Sequence, residues 1–119
     1  DFSARLAQVE TKTLALEATV LRVLDTVKSG GAPGNESSIL KILATENAQA
    51  ITELYVLAAA YWGLPKFEQG AVDAWALQMG MPAFAAPGVT DYLSTRAESI
   101  YGGTNEIQKN VTAKFVLGL

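Results

Sequence analysis

The stretch Arg96-Ala-Glu-Ser-Ile-Tyr-Gly-Gly-Thr-Asn-Glu-Ile-Gln-Lys-Asn110 organises the chain, because it joins two helical patterns through a turn at Gly102 and Gly103. Glycine tolerates positive φ and lets another molecule approach the backbone closely. Thr104 follows as a helix cap, and the helix that it begins presents unpaired N–H groups and the positive end of its dipole. The turn is suited to the polar or anionic part of a cofactor, although a plain turn and cap would use the same residues.

Upstream of this stretch, apolar side chains recur every three or four residues, which is the spacing of a helix with one buried face. The first such segment runs from Phe2 to about Ser29, and the second begins between Asn35 and Ser38, where N-cap residues cluster. A short Gly/Pro loop separates them, so we expect two helices of about 25 residues in an antiparallel hairpin. The apolar face of the first helix consists of Phe2, Leu6, Val9, Leu16, Val20, Val23 and Val27.

Two features of these helices depart from a single narrow apolar face, and each leads to a structural prediction. Leu14, Leu21 and Leu24 widen the apolar face of the first helix, which predicts that it packs against more than one neighbour. Asn47 interrupts the apolar face of the second helix, and we expect its side chain to make a hydrogen bond within the bundle.

The second half of the chain predicts two shorter helices. Glycines and prolines punctuate the apolar segment from Gly63 to Pro87, in which we expect a short helix within Ala71 to Gln78. We expect this segment to pack under the bundle, and the alternative is that it covers a site or an interface. Clearer helices follow from about Thr90 to Ile100 and from about Asn105 to Leu117, where Ile107, Val111 and Phe115 point inward and Gly118 is the C′ glycine. The predicted fold is all-α, an up-and-down four-helix bundle forming one domain over residues 1–119.

Composition excludes several classes of function. The chain of 119 residues carries a net charge of −3 without a basic cluster, which disfavours nucleic acid as a partner. It contains no Cys and no His, which excludes Cys/His metal sites, thiol nucleophiles and His-based triads within this sequence. The lack of Cys also fits a reducing, cytoplasmic location. No apolar run approaches the roughly 18 residues that span a membrane.

The residues of the last third also carry a family resemblance. Ile100 to Asn110, followed by Ala113 to Leu119, resembles the C-terminal signature of the acyl-CoA dehydrogenases. Ala15 to Arg22 and Ala32 to Lys41 are similar to the bacterial branch that acts on dicarboxylic, steroid-derived or other unusual acyl-CoAs, pimeloyl-CoA dehydrogenase subunits among them. The resemblance covers nearly the whole chain and is weak over Gly63 to Pro87. It implies the C-terminal helical domain of a longer flavoprotein, whose N-terminal helical and middle β domains this sequence lacks.

The resemblance also assigns roles to residues of the turn. In the family pattern, the positions of Thr104 and Glu106 contact FAD, Gly103 keeps the turn tight, and Tyr101 and Gly102 lie where the chain lines the acyl-CoA pocket. FAD is bound between subunits of a dimer or tetramer, which makes the bundle an oligomerisation domain as well. The implied reaction oxidises acyl-CoA to trans-2-enoyl-CoA, with electrons passing to an acceptor such as an electron-transfer flavoprotein.

Two departures from the family pattern open alternatives. Many members place the catalytic glutamate at the position of Gly102, and a base must come within about 3 Å of the proton that it removes. The base therefore comes from an earlier helix outside this sequence, or the chain is the non-catalytic subunit of a heteromer. An acyl-CoA oxidase or flavin monooxygenase of the same superfamily is a further alternative. The second departure is Tyr61 to Pro65, which replaces a longer glycine-rich stretch that contacts the flavin across subunits.

Overall fold

The computed structural model describes residues 1–34, 36–64 and 77–118, except for the side chain of residue 86. Over these residues the chain forms four α-helices and no strand, which confirms the predicted all-α fold. The α-helices are α1 (Phe2–Lys28), α2 (Glu36–Ala59), α3 (Ala85–Thr95) and α4 (Asn105–Thr112). Shorter 3-10 segments cover Ala60–Gly63 and Arg96–Ser99, and a π-helical turn covers Ala113–Leu117.

Helices α1 and α2 form the predicted antiparallel hairpin. Arg5, near the start of α1, makes an ion pair of 3.1 Å with Glu53, near the end of α2. Further along, the Asn47 amide nitrogen of α2 donates to Thr13 Oγ1 of α1 at 2.8 Å. The second contact confirms the hydrogen bond expected for Asn47, whose side chain is buried.

Helix α3 begins at Ala85, five residues earlier than the position predicted for it. The prediction treated Pro87 as a helix breaker, but this proline lies in the first turn of α3. An N–H in the first turn has no carbonyl partner within the helix, so its absence costs little there. After Thr95 the chain tightens into the 3-10 segment Arg96–Ser99, so the predicted end near Ile100 is close to the observed one.

Helix α4 has both of the ends that the sequence predicts. Thr104 caps its first turn, and its Oγ1 accepts a hydrogen bond from the Ile107 amide at 3.1 Å. At the other end, the π-helical turn leads into Gly118, which has φ of +71° and is in the left-handed conformation. A glycine in this conformation is the usual way for a helix to end.

Helix α2 is the centre of the bundle, and α1, α3 and α4 each pack against it. The small apolar core lies at one end of α2, where Ala59, Met81 and Ala85 pack together with Trp62. At the described end of the apolar segment, Met81 is buried as expected, but Leu77, Met79 and Phe84 are 49%, 72% and 39% exposed, so the packing expectation is met there only in part. The short helix expected within residues 71–78 falls largely outside the described residues. The radius of gyration of 18.1 Å exceeds the roughly 13–14 Å expected for a compact domain of this length.

Much apolar surface therefore remains uncovered. Leu14, Leu21 and Leu24 are 66%, 59% and 57% exposed, and among the described helices α1 packs substantially only against α2. The expectation that α1 packs against several neighbours is thus not met within this part of the chain. Ile107 and Phe115 of the C-terminal region, predicted to point inward, are exposed too. Among the described helices, none combines the length and apolarity needed to cross a membrane.

Candidate functional site

The Gly102-Gly103 turn connects the 3-10 segment Arg96–Ser99 to α4. The amides of Ile100 and Tyr101 both donate to the Ala97 carbonyl, at 2.9 and 3.0 Å, which ends the 3-10 segment. Gly102 and Gly103 then adopt φ of +66° and +87°. Two consecutive residues with positive φ reverse the chain within a few residues, as the sequence predicts.

The two glycines differ in what surrounds them. A Cβ added to Gly103 would lie 2.6 Å from the side-chain amide nitrogen of Gln108, so a side chain of α4 occupies the space beside Gly103. A Cβ added to Gly102 would meet no atom within 4 Å. The turn is therefore packed against its own helix at Gly103 and open at Gly102, where another molecule can reach the backbone.

The first turn of α4 offers hydrogen-bond donors beside this opening. The cap bond from the Ile107 amide uses a lone pair of the Thr104 hydroxyl and leaves the hydroxyl hydrogen for another acceptor. The amides of Asn105 and Glu106, in the first turn, have no carbonyl partner inside the helix. These donors and the helix dipole favour an acceptor-rich or anionic group in front of Thr104.

Glu106 extends from this first turn into solvent. Its carboxylate accepts a hydrogen bond of 2.9 Å from Lys109 Nζ, and that bond, together with the negative charge of Glu106, raises the pKa of Lys109 above its ordinary 10.5. An exposed ion pair of this kind contributes little to stability. Glu106 is therefore able to leave Lys109 for another hydrogen-bond donor at small cost.

The side chain of Asn105 anchors the turn to α2, a role that the sequence did not predict. The side chain is 8% exposed, and its amide nitrogen donates to Thr45 Oγ1 of α2 at 3.1 Å. Its Oδ1 accepts from Lys41 Nζ at 2.9 Å. The same ammonium group donates to the Glu98 carbonyl at 2.9 Å, on the other side of the turn.

Arg96 fixes the start of the segment that leads to the turn. Its guanidinium stacks on the Tyr92 ring at 4.4 Å and donates to the Gln49 carbonyl at 2.9 Å and to Thr52 Oγ1 at 3.2 Å. Gln49 in return donates through its side chain to the Thr95 carbonyl at 3.2 Å. Helices α2 and α3 are thus joined by a polar network as well as by apolar packing.

A sequence signal for these contacts exists along α2. Its polar residues recur in steps of four, four and three along one face, which we call the polar stripe of α2: Lys41, Thr45, Gln49 and Thr52. Polar residues at helical spacing indicate one shared face. This face receives the Arg96–Asn105 segment.

Within the turn, Tyr101, Gly102, Gly103 and Glu106 are exposed, Thr104 is half-buried and Asn105 is buried. Tyr101 is 60% exposed, so its ring is available to a ligand. From Tyr101 to Glu106, the turn supplies one carboxylate, that of Glu106. No group of three or more acidic residues that could hold a metal ion occurs in the described ranges.

Comparisons with known proteins give concordant results. Residues 2–117 match the family model described as acyl-CoA dehydrogenase, C-terminal domain. The chain is 30% identical over 115 residues to the acyl-CoA dehydrogenase IpdE1 of Mycolicibacterium smegmatis, covering 97% of this chain and 24% of that protein. It is 68% identical over 28 residues to acyl-CoA dehydrogenase IpdE1 of Mycobacterium tuberculosis, covering 24% of this chain and 7% of that protein. The chain thus spans about a quarter of the first relative, and no solved structure matches it significantly.

Proposed function

Because the chain belongs to the acyl-CoA dehydrogenase family, we propose that residues 1–119 are the C-terminal domain of a longer flavoprotein. In this proposal the flavoprotein oxidises an acyl-CoA to its trans-2-enoyl-CoA and passes the electrons to an acceptor such as an electron-transfer flavoprotein. The turn from Tyr101 to Glu106 is the part of this domain that contacts cofactor and substrate.

The open, donor-rich face of the turn is the observation that supports FAD as the cofactor. The space in front of Gly102 is free of atoms within 4 Å of a built Cβ, and the first-turn amides of α4 point to an acceptor-rich group. In the proposal, Gly103 holds the shape of the turn while Thr104 donates its hydroxyl hydrogen and Glu106 accepts or bridges a polar group. Bound FAD would supply the acceptor for the hydride that leaves the substrate β-carbon.

Tyr101 and Gly102 are assigned to the acyl-CoA side of the turn. The exposed Tyr101 ring offers an apolar wall with a polar tip, and Gly102 leaves room for the substrate chain. Removal of the α-proton requires a base that Gly102 does not supply. The carboxylate of Glu106 is already assigned to the cofactor side, so the base belongs to another part of the longer protein or to a partner subunit.

The exposed apolar surface of α1 supports an oligomer. Leu14, Leu21 and Leu24 extend along the face of α1 that α2 does not cover. Exposed apolar patches of this kind mark contacts between proteins or domains. We assign this face to the subunit contacts of a homo- or hetero-oligomer, a dimer or a tetramer.

Gly102 specifically favours a second candidate within the same family. A chain without the usual glutamate can serve as the non-catalytic subunit of a heteromeric acyl-CoA dehydrogenase, contributing its turn to a cofactor site that a partner completes. Activity measured with and without a co-expressed partner subunit separates the two. The chain is the catalytic subunit if the longer protein turns over acyl-CoA alone, and the supporting subunit if turnover requires the partner.

The direct test of the proposed function uses the full-length protein, purified with any partner subunit. We expect it to carry yellow, stoichiometric FAD and to reduce an artificial electron acceptor when acyl-CoA is added. Slow reaction of the reduced protein with oxygen would distinguish a dehydrogenase from an oxidase or a monooxygenase. A full-length protein that takes up no FAD, either alone or with its partner subunit, would overturn the proposal.

A further inference from the structure

We propose that Lys41 is a positioning residue, which holds the Gly102-Gly103 turn in its ligand-binding shape by fixing both of its ends to α2. This inference rests on the proposed function, since the turn is the candidate FAD contact. Lys41 acts through other groups and is not itself assigned to the cofactor or the substrate.

The geometry of one ammonium group carries the inference. Lys41 Nζ lies 2.9 Å from the Glu98 carbonyl, which precedes the turn, and 2.9 Å from Asn105 Oδ1, which follows it. The intervening residues 99–104 contain Gly102 and Gly103, which are the most freely deformable part of this segment. A single donor on the rigid α2 therefore fixes the separation of the two ends of the turn.

The surroundings of this ammonium group make the contact hard to replace. Asn105 and Thr45 are buried, and the Asn105 amide nitrogen is already committed to Thr45 Oγ1. Asn105 Oδ1 also lies 3.2 Å from Thr45 Oγ1, so without Lys41 it would keep a neutral hydroxyl donor and lose its charged donor. Hydrogen bonds from a charged donor are stronger than neutral ones, so the Thr45 hydroxyl replaces only part of this contact, and it makes no hydrogen bond to the Glu98 carbonyl.

Other contacts hold α3 to α2, which gives Lys41 a distinct role. Arg96 and Gln49 tie the polar stripe of α2 to the end of α3, before the turn begins. Thr45 ties Asn105, the first residue of α4, to the same stripe, and Lys41 adds a contact with both sides of the turn at once. Loss of Lys41 is therefore expected to alter the shape of the turn more than the assembly of the bundle.

The test compares FAD binding by the full-length wild-type protein with that of Lys41→Met, Lys41→Arg and Lys28→Met. Lys28→Met is the matched control, because it removes the same charge from an exposed position in the last turn of α1. Flavin fluorescence titration gives the dissociation constant, and visible circular dichroism reports the surroundings of bound flavin. Neither measurement depends on turnover.

We expect Lys41→Met to weaken FAD binding about tenfold and to change the flavin circular dichroism. Lys41→Arg retains a charged donor for both acceptors with a different shape, so we expect it to recover part of the affinity. Lys28→Met should match the wild type. If Lys41→Met does not fold, Lys41→Gln, which keeps an uncharged N–H donor group on a shorter stem, is expected to show a smaller loss of the same kind.

Three results would overturn the inference in distinguishable ways. If the wild type binds FAD and Lys41→Met binds it equally well with an unchanged spectrum, the positioning role of Lys41 is refuted while the proposed function stands. If Lys41→Met and Lys28→Met weaken FAD binding equally, the loss comes from the general change in charge and not from a positioning role of Lys41. If the wild type itself binds no FAD, both the proposed function and the role of Lys41 fail.

Discussion

Replacement of Gly103 by alanine probes the turn most sharply, because two separate costs can be assigned to it. The φ of Gly103 is +87°, and a left-handed backbone costs an L-residue about 1–2 kcal/mol. The new Cβ would also lie 2.6 Å from the Gln108 amide nitrogen. Moving that flexible side chain out of its rotamer adds about 0.5–1.5 kcal/mol. We therefore expect Gly103→Ala to lower the free energy of unfolding by about 1.5–3.5 kcal/mol.

Gly30→Ala is a matched control elsewhere in the chain. Gly30 has the same φ of +87°, but its added Cβ would meet no atom within 4 Å. This variant should therefore show the backbone cost alone, about 1–2 kcal/mol. Combining Gly103→Ala with Gln108→Ala removes the side-chain contact, so the double variant, compared with Gln108→Ala alone, should lose only as much stability as Gly30→Ala.

Urea unfolding followed by circular dichroism gives the stability of each variant, and flavin fluorescence titration gives the affinity for FAD. We expect Gly103→Ala to weaken FAD binding by at least about tenfold and Gly30→Ala to leave it unchanged. A Gly103→Ala protein that is as stable as the wild type would refute the positive φ. Equal FAD affinity in both alanine variants would refute the assignment of Gly103 to the cofactor site.

Three further changes test other parts of the account. Thr104→Ala should lower the free energy of unfolding by about 1 kcal/mol through loss of the helix cap, whereas Thr104→Ser should keep it; equal urea midpoints for the two would contradict the cap. Leu24→Glu should dissociate the oligomer in analytical ultracentrifugation with little change in helix content, and an unchanged mass would remove this face from the subunit contact. Glu106→Gln should return the pKa of Lys109 towards 10.5 in an NMR titration. Because Glu106 raises that pKa, the stabilisation by the pair is complete below pH 10.5 and is lost as pH rises through the raised value, so an identical titration in Glu106→Gln would contradict the pairing.

Local features were predictable from the sequence because their causes are local. Thr104 accepts a hydrogen bond from the amide three positions later, and Gly118 ends the C-terminal helical segment by adopting a left-handed φ. The apolar spacing of the first 60 residues likewise predicts the α1–α2 hairpin. The start of α3 was missed because Pro87 reads as a breaker unless its place in the first helical turn is known.

Burial and long-range contacts were harder to predict, for two physical reasons. Periodicity shows which face of a helix is apolar but not whether the same chain covers it, so Leu24 and Phe115 proved to be exposed. The contact between Lys41 and Asn105 joins residues that are 64 positions apart. No rule that uses nearby residues alone pairs Lys41 with Asn105. The polar stripe of α2 is the sequence signal that α2 contacts a polar segment elsewhere in the chain.

The most direct test of the central claim is hydrogen–deuterium exchange of the full-length protein with and without FAD. We expect slower amide exchange in peptides that contain Gly102 to Glu106 when FAD is bound, because the first-turn amides of α4 gain an acceptor. Peptides from the loop around Gly30 should exchange at the same rate in both states. FAD binding that leaves exchange across Gly102 to Glu106 unchanged would contradict the claim that this turn holds the cofactor.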